Sequence, residues 1–155
     1  MEAIPDKGVG MKGEVVIRQA EAGKLQEVKS LLQEASLPTA GLDDVEHLFI
    51  LESDGYVLGA VGFEAYPPYA LLRSLIVADK VQGQGHGRRL LNFILNEVKT
   101  QEFIEVYALT TTIPNWLSRL GFEEISRPDL PEALQASEEL LGACPASALV
   151  FKLRL

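Results

Sequence analysis

From Val81 to Leu91 the chain reads VQGQGHGRRLL, with glycine at every second position from Gly83 to Gly87 and two arginines directly after. Glycine adopts positive φ without a steric cost, so a run of this kind lets successive N–H groups turn toward one point. The segment before it, residues 70–77 (ALLRSLIV), is a nearly continuous apolar run, the pattern of a strand covered on both faces. After the loop, Leu90, Leu91, Ile94, Leu95 and Val98 recur on one face of a helix. A strand, a glycine loop and a helix in that order bring N–H donors and the positive end of a helix dipole together, which suits an anion. Hydrogen bonds to a charged acceptor contribute about 1.5–3 kcal/mol each, against about 0.3–1 kcal/mol for the dipole. The N–H groups therefore dominate, and Arg88 and Arg89 act mainly by attraction at the rim.

Spacing decides which anion loop this is. A nucleoside-triphosphate loop requires GxxxxGK[ST], and no lysine with a hydroxyl neighbour follows Gly87. A dinucleotide fingerprint requires GxGxxG, but after Gly83 and Gly85 the third position is Arg88. A plain tight turn explains one or two glycines and accounts poorly for three in alternation. Charge agrees with an anion-binding role confined to this region. The chain carries a net −8, which argues against nucleic acid or an anionic membrane as partner. Yet residues 73–89 hold Arg73, Lys80, Arg88 and Arg89 against Asp79 alone, a local +3 that leaves −11 for the remainder.

At 155 residues the chain is expected to form one domain, over residues 14–155, preceded by a loose tail at residues 1–13 in which Met11 is an alternative start. A 47% hydrophobic and 23% charged composition is that of an ordinary globular chain. No apolar run approaches the roughly 20 residues of a spanning helix, and the charged, glycine-containing N-terminus lacks the apolar segment of a signal peptide, so a cytoplasmic location is expected. Cys144 has no cysteine or histidine at metal-ligand spacing, and no metal is expected.

Periodicity supplies the remaining elements. EVVIR (14–18) reads as a strand, and Leu25, Val28, Leu31, Leu32 and Ala35 as a helix ending before Pro38. A short helix is expected at residues 43–47. LFILE then passes through Ser53, Asp54 and Gly55 into YVLGAVGFEAY, a hairpin that Pro67 and Pro68 terminate. IEVYALT (104–110) reads as another buried strand, and NWLSRLGFEEI, PEALQASEELL and SALVFKLRL as a short helix with a strand, a further helix and a final strand. The expected fold class is α+β, a mixed central sheet flanked by helices on both faces.

The pattern Gln82-x-x-Gly85-x-Gly87, between a buried strand and a helix opening Arg88-Arg89-Leu90-Leu91, resembles the acetyl-CoA signature of the GNAT superfamily of N-acetyltransferases. Leu120-Gly121-Phe122 falls where that family places it, and the resemblance covers about residues 14–155. LLRSLIV, LTTT followed by NWLSRLGF, RPDLPEAL and CPASALV are further similar to the acetyltransferase domain of N-acetylglutamate synthases and to arsenic-resistance-associated acetyltransferases. The resemblance implies acetyl-CoA as donor, its pyrophosphate held by the loop (Gln82, Gly83, Gln84, Gly85, His86, Gly87 and Arg88), and its pantetheine arm along the preceding strand. It also implies an oxyanion held by main-chain N–H groups of Leu75, Ile76 and Val77, and an acceptor amine on a small, glutamate-like amino acid. Thr111 and Trp116 are expected beside the cofactor. Two departures stand out. Leu117 occupies the position, four before Gly121, where the family commonly has an acidic tyrosine, and Thr110, within a run of three threonines, stands where an asparagine is frequent.

Three residues are expected to carry the acceptor chemistry. A lysine-like amine costs about 4.6 kcal/mol to hold neutral at pH 7, and a positioned base contributes roughly 10²- to 10⁴-fold, so a carboxylate is sought. Glu64, among apolar residues in VGFEAY, is the candidate base. Arg73, inside an apolar strand, needs an anionic partner, either a substrate carboxylate or an internal acid such as Glu64 itself. Thr110 is the third, its hydroxyl orienting cofactor or substrate. His86 is expected to turn its side chain to solvent. The alternatives are a cationic acceptor (polyamine, aminoglycoside or protein lysine), which an arginine in the site would repel, and an acyl-CoA sensor without turnover. The expected partner is a small-molecule amine, with neither nucleic acid nor membrane, and a homodimer stays open.

Overall fold

The computed structural model describes residues 14–110, 113–137 and 148–155. The N-terminal tail, Thr111, Thr112, Cys144 and the later part of the helix expected at PEALQASEELL lie outside the described residues. Seven strands and three α-helices alternate along the chain: β1 (Val16–Gln19), α1 (Leu25–Glu34), β2 (His47–Ser53), β3 (Tyr56–Tyr66), β4 (Tyr69–Val77), α2 (His86–Thr100), β5 (Glu105–Thr110), α3 (Pro114–Arg119), β6 (Glu123–Ile125) and β7 (Leu149–Arg154). One sheet orders them β1-β2-β3-β4-β5-β7-β6, so the apolar strand before the glycine loop is its middle member. Only β4 and β5 run parallel among the paired strands.

The helices divide between the two faces because successive strand residues point to opposite sides. Val28 and Leu32 of α1 pack with Leu48, Ile50 and Ala60. Leu90, Leu91, Ile94 and Val98 of α2 pack with Leu51, Val61 and Phe63. The sheet is thus covered on both faces and the α+β arrangement is the expected one. The β2–β3 turn places Asp54 at φ 53° and Gly55 at φ 82°, the left-handed pair that a two-residue hairpin requires.

Two helices expected from the sequence are shorter structures. Residues 42–44 form a single 3-10 turn after Gly41, which sits at φ 74°, and Val45 is already extended. His47 begins β2, its ring stacked on Phe63 at 4.3 Å. Pairing with β3 therefore outweighs the weak helical pattern of these residues. Pro131 likewise leads only into a 3-10 turn at Glu132–Ala136.

The middle of the sheet is irregular in a way that prepares a site. β4 and β5 are joined by three register pairs alone, Tyr69 with Glu105, Ala70 with Val106 and Leu71 with Tyr107. Beyond them the strands part. On its other edge β4 carries a bulge: pairing passes from Ala60–Ile76 to Gly62–Arg73, so Ser74 and Leu75 together oppose Val61, and Ser74 sits at φ 61°. Such an insertion bends the strand and strengthens its twist. Gly59 lets β3 follow that shape, since a Cβ there would come within 2.7 Å of the Ile76 carbonyl oxygen.

Candidate active site

Where β4 and β5 part, a cleft of about 810 Å³ opens between the strand ends and the glycine loop. Its walls come from Leu72 to Val77 of β4, from Ala108 to Thr110 of β5, from the loop, from Ile113, Trp116 and Leu117 at α3, and from Ala35 to Pro38 after α1. No aspartate or glutamate lines it among the described residues, while Arg73, Arg88 and His86 do. In a chain of net −8 this cleft is the part suited to anions.

The loop has the geometry its spacing implies. Gly83 and Gly85 lie at φ 83° and 85°, and Gly85 is the N-cap of α2. The first backbone bond into that helix is donated by the Arg89 N–H to the Gly85 carbonyl at 3.0 Å; the N–H groups from Gly83 to Arg88 have no acceptor among the described residues. Gly87 is helical, and a Cβ there would meet only Val77 at 3.8 Å. Its lack of a side chain therefore keeps the cleft wall low without serving backbone conformation. These free donors, the helix end and the separated strands fit the pyrophosphate and arm of acetyl-CoA.

Several side chains differ from their expected placing. The Gln82 side chain donates to the Val77 carbonyl at 3.0 Å and to Asp79 Oδ1 at 3.2 Å, so it shapes the loop from within. Gln84 is exposed and is not part of the cleft wall. Arg88 is exposed at the rim, whereas Arg89 is tied to the Val15 carbonyl at 2.9 Å. His86 is not a solvent-facing side chain: its Nε2 is buried without a hydrogen-bond partner among the described residues. Burial, and secondarily the Arg89 charge, hold its pKa below the ordinary histidine value. Leu75, Ile76 and Val77 line the cleft and are half-buried, as does Trp116 on α3.

The acceptor-side residues rearrange more. Arg73 lines the cleft with a side chain that is 0% exposed. Its Nη1 donates to Glu64 Oε2 at 2.7 Å and its Nε to Ser74 Oγ at 3.1 Å, while Nη2 is buried with no partner among the described residues. The internal acid anticipated for it is thus present, and one guanidinium nitrogen is left over. Glu64 does not line the cleft. It borders a separate hollow of about 330 Å³ with His47, Phe63 and Tyr66, and its second oxygen accepts from the Tyr66 hydroxyl at 2.6 Å. The base assignment made on apolar context loses its footing here, because that context belongs to the far side of the Arg73 pair. Thr110 Oγ1 accepts the Ile113 N–H at 3.0 Å, a cap at the entry to α3. Leu117 is 1% exposed and packs in the main core. The wall at Ser36, Leu37 and Pro38 has no counterpart in the sequence reading, since only the end of α1 placed against the sheet brings it there.

Comparison with known proteins agrees with this geometry. Residues 44–124 match the Acetyltransferase (GNAT) domain family. An amino-acid acetyltransferase of Ralstonia nicotianae is 30% identical over 91 residues, 57% of this chain and 20% of that protein. One of Neisseria meningitidis serogroup A is 26% identical over 130 residues, 76% of this chain and 29% of that protein. The chain thus spans less than a third of the length of these curated relatives. N-acetylglutamate synthase from Neisseria gonorrhoeae, solved with coenzyme A and N-acetyl-glutamate, superposes with a TM-score of 0.79 at 24% identity, over 95% of this chain and 36% of that one. A Brucella melitensis acetyltransferase solved with acetyl-CoA superposes with a TM-score of 0.61 at 18% identity, over 72% and 84%. Among the described residues no helix is long and apolar enough to cross a membrane, and no cluster of metal-binding side chains occurs.

Proposed function

The chain belongs to the GNAT family of acetyl-CoA-dependent N-acetyltransferases, and from that premise we propose that it acetylates the amine of a small amino acid or glutamate-like compound by direct attack in a ternary complex. The observation that carries this reading is Arg73, wholly buried on the cleft wall with Nη2 unpaired. A buried donor without a partner is costly, and a carboxylate supplies the charge-assisted bond it lacks. A cationic acceptor would meet Arg73 and Arg88 in a cleft whose described wall has no carboxylate.

When bound, acetyl-CoA supplies the thioester carbonyl that the amine attacks. The chain's own part is to grip and orient. N–H groups of residues 83–88 hold the pyrophosphate, the β5-facing edge of Leu72–Val77 aligns the arm, and a main-chain N–H within Leu75–Val77 faces the developing oxyanion. Arg73 fixes the acceptor by its carboxylate, which places the amine without the site having to bind its charge. Thr110 holds the entry to α3, and Thr111 is proposed beside the cofactor.

Release of coenzyme A from acetyl-CoA, followed with a panel of amino acids, glutamate analogues, polyamines and aminoglycosides, tests the reading. Turnover with carboxylate-bearing amines is expected. Turnover with cationic amines alone would overturn it. Acetyl-CoA binding with no turnover on the panel would favour a sensor, the reading that Leu117 in place of an acidic tyrosine supports.

A further inference from the structure

We propose that Glu64 and Tyr66 are positioning residues for Arg73, holding its guanidinium so that Nη2 is presented to the acceptor's carboxylate, and that Glu64 is not the base. The inference rests on the amino-acid reading above and adds how the acceptor's carboxylate is selected.

The β3–β4 register explains the arrangement. Arg73 is paired with Gly62, which has no side chain, and Glu64 lies two residues along β3, where side chains return to the same face. The guanidinium can therefore lie diagonally along β3 to reach it. Tyr66 lies two residues further on, again on that face. The result is a fixed chain of contacts: Tyr66 Oη donates to Glu64 Oε1 at 2.6 Å, Arg73 Nη1 to Glu64 Oε2 at 2.7 Å, and Arg73 Nε to Ser74 Oγ at 3.1 Å. Both carboxylate oxygens are engaged, and two of the three guanidinium nitrogens are held from opposite ends. Only Nη2, with two N–H groups, is uncommitted among the described residues.

Arginine has a long, freely rotating side chain, and fixing it before the acceptor arrives removes an ordering cost from binding. Tyr66 is a lasting donor in this chain: burial, and then the Glu64 carboxylate, push its pKa up to about 12, so it keeps its proton at working pH. Glu64 itself borders the hollow behind Arg73 and is absent from the cleft wall. A base would need to touch the amine, directly or through one water. Glu64 instead touches the residue that touches the acceptor.

The test compares steady-state kinetics of wild type, Glu64→Gln and Tyr66→Phe, using an amino-acid acceptor and the same compound with each carboxylate amidated in turn. For Glu64→Gln the KM for the acid should rise about tenfold, the size of one lost charge-assisted contact, with kcat within about threefold. The KM for acetyl-CoA, the pH profile of kcat and the kinetics of the amide that lacks the recognised carboxylate should not move. Tyr66→Phe keeps the ion pair and should raise the same KM by about threefold, the scale of one hydrogen bond. It carries the test if Glu64→Gln does not fold. Trp116, the one tryptophan of the chain, lines the cleft, and its fluorescence gives acceptor affinity independently of turnover. A fall in kcat with a lost limb in its pH profile at unchanged KM would return Glu64 to the role of base and overturn the proposal. So would equal KM changes for acid and amides. Those outcomes leave the amino-acid reading intact, whereas a wild type that turns over no carboxylate-bearing acceptor removes both.

Discussion

His86 shows how one side chain can tie the cofactor loop to stability. Its folded pKa lies below the ordinary value of 6.5, chiefly through burial and then through the Arg89 charge. Above about pH 6.5 the residue is neutral in both folded and unfolded chains, so it adds no slope. As pH falls below that value the unfolded chain binds a proton that native His86 resists, and stability declines until pH passes the folded pKa. The melting temperature should therefore drop between pH 7.5 and 5.5, and His86→Asn should flatten that drop. An unchanged slope in the variant would assign the effect to other groups. Glu52 belongs to a separate window: its bond from Arg18, at 2.6 Å, lowers its pKa below the ordinary carboxylate value, so its contribution is lost only at more acidic pH.

At the scale of elements, the bulged β4 depends on glycine in its neighbour. Gly59→Ala would drive a Cβ against the Ile76 carbonyl oxygen at 2.7 Å, a backbone atom that cannot swing aside. The expected cost is about 1–3 kcal/mol of stability, measured by denaturant unfolding, with weaker acetyl-CoA binding because Ile76 lines the cleft. Gly23→Ala, where a Cβ meets nothing within 4 Å, is the matched control. The strands, the two long helices and the anion loop were legible in the sequence because each rests on local signals: alternation or continuity of apolar residues, the period of α2, and glycines that reach positive φ. What governs the acceptor side is not local. Glu64 and Arg73 are 9 positions apart, and only the β3–β4 register decides that they pair. The same limit applies to Thr110, whose hydroxyl is placed by the start of α3, and to Ser36–Pro38, which tertiary packing brings to the cleft. The helix expected at 43–47 failed for a related reason, since pairing His47 with Phe63 across β2 and β3 outweighed a few residues of helical pattern.

For the molecule as a whole, the sign of its charge and the sign of its cleft oppose each other. A net −8 repels an anionic cofactor at long range, and the rim arginine Arg88 acts against that field close to the mouth. Exposed charges are screened over about 8 Å at physiological salt, whereas the N–H donors of the loop act at contact. Acetyl-CoA affinity should therefore fall only modestly with added salt. Arg88→Gln should weaken binding several-fold at low salt and leave a flatter salt dependence, as read by calorimetric titration at two ionic strengths. A loss that persists undiminished at high salt would mean that Arg88 bonds the phosphates directly.

The three-pair ladder between β4 and β5 has a mechanical meaning beyond the opening it creates. It is a seam between two leaves of the sheet, four strands on one side and three on the other. Past Leu71 and Tyr107 the leaves share no ladder bond, and a donor lying between them would stitch them as an added strand. Loading the donor then stiffens the whole sheet, and its departure as free coenzyme A lets the leaves breathe again, so the resting protein is softest along the line where its chemistry takes place.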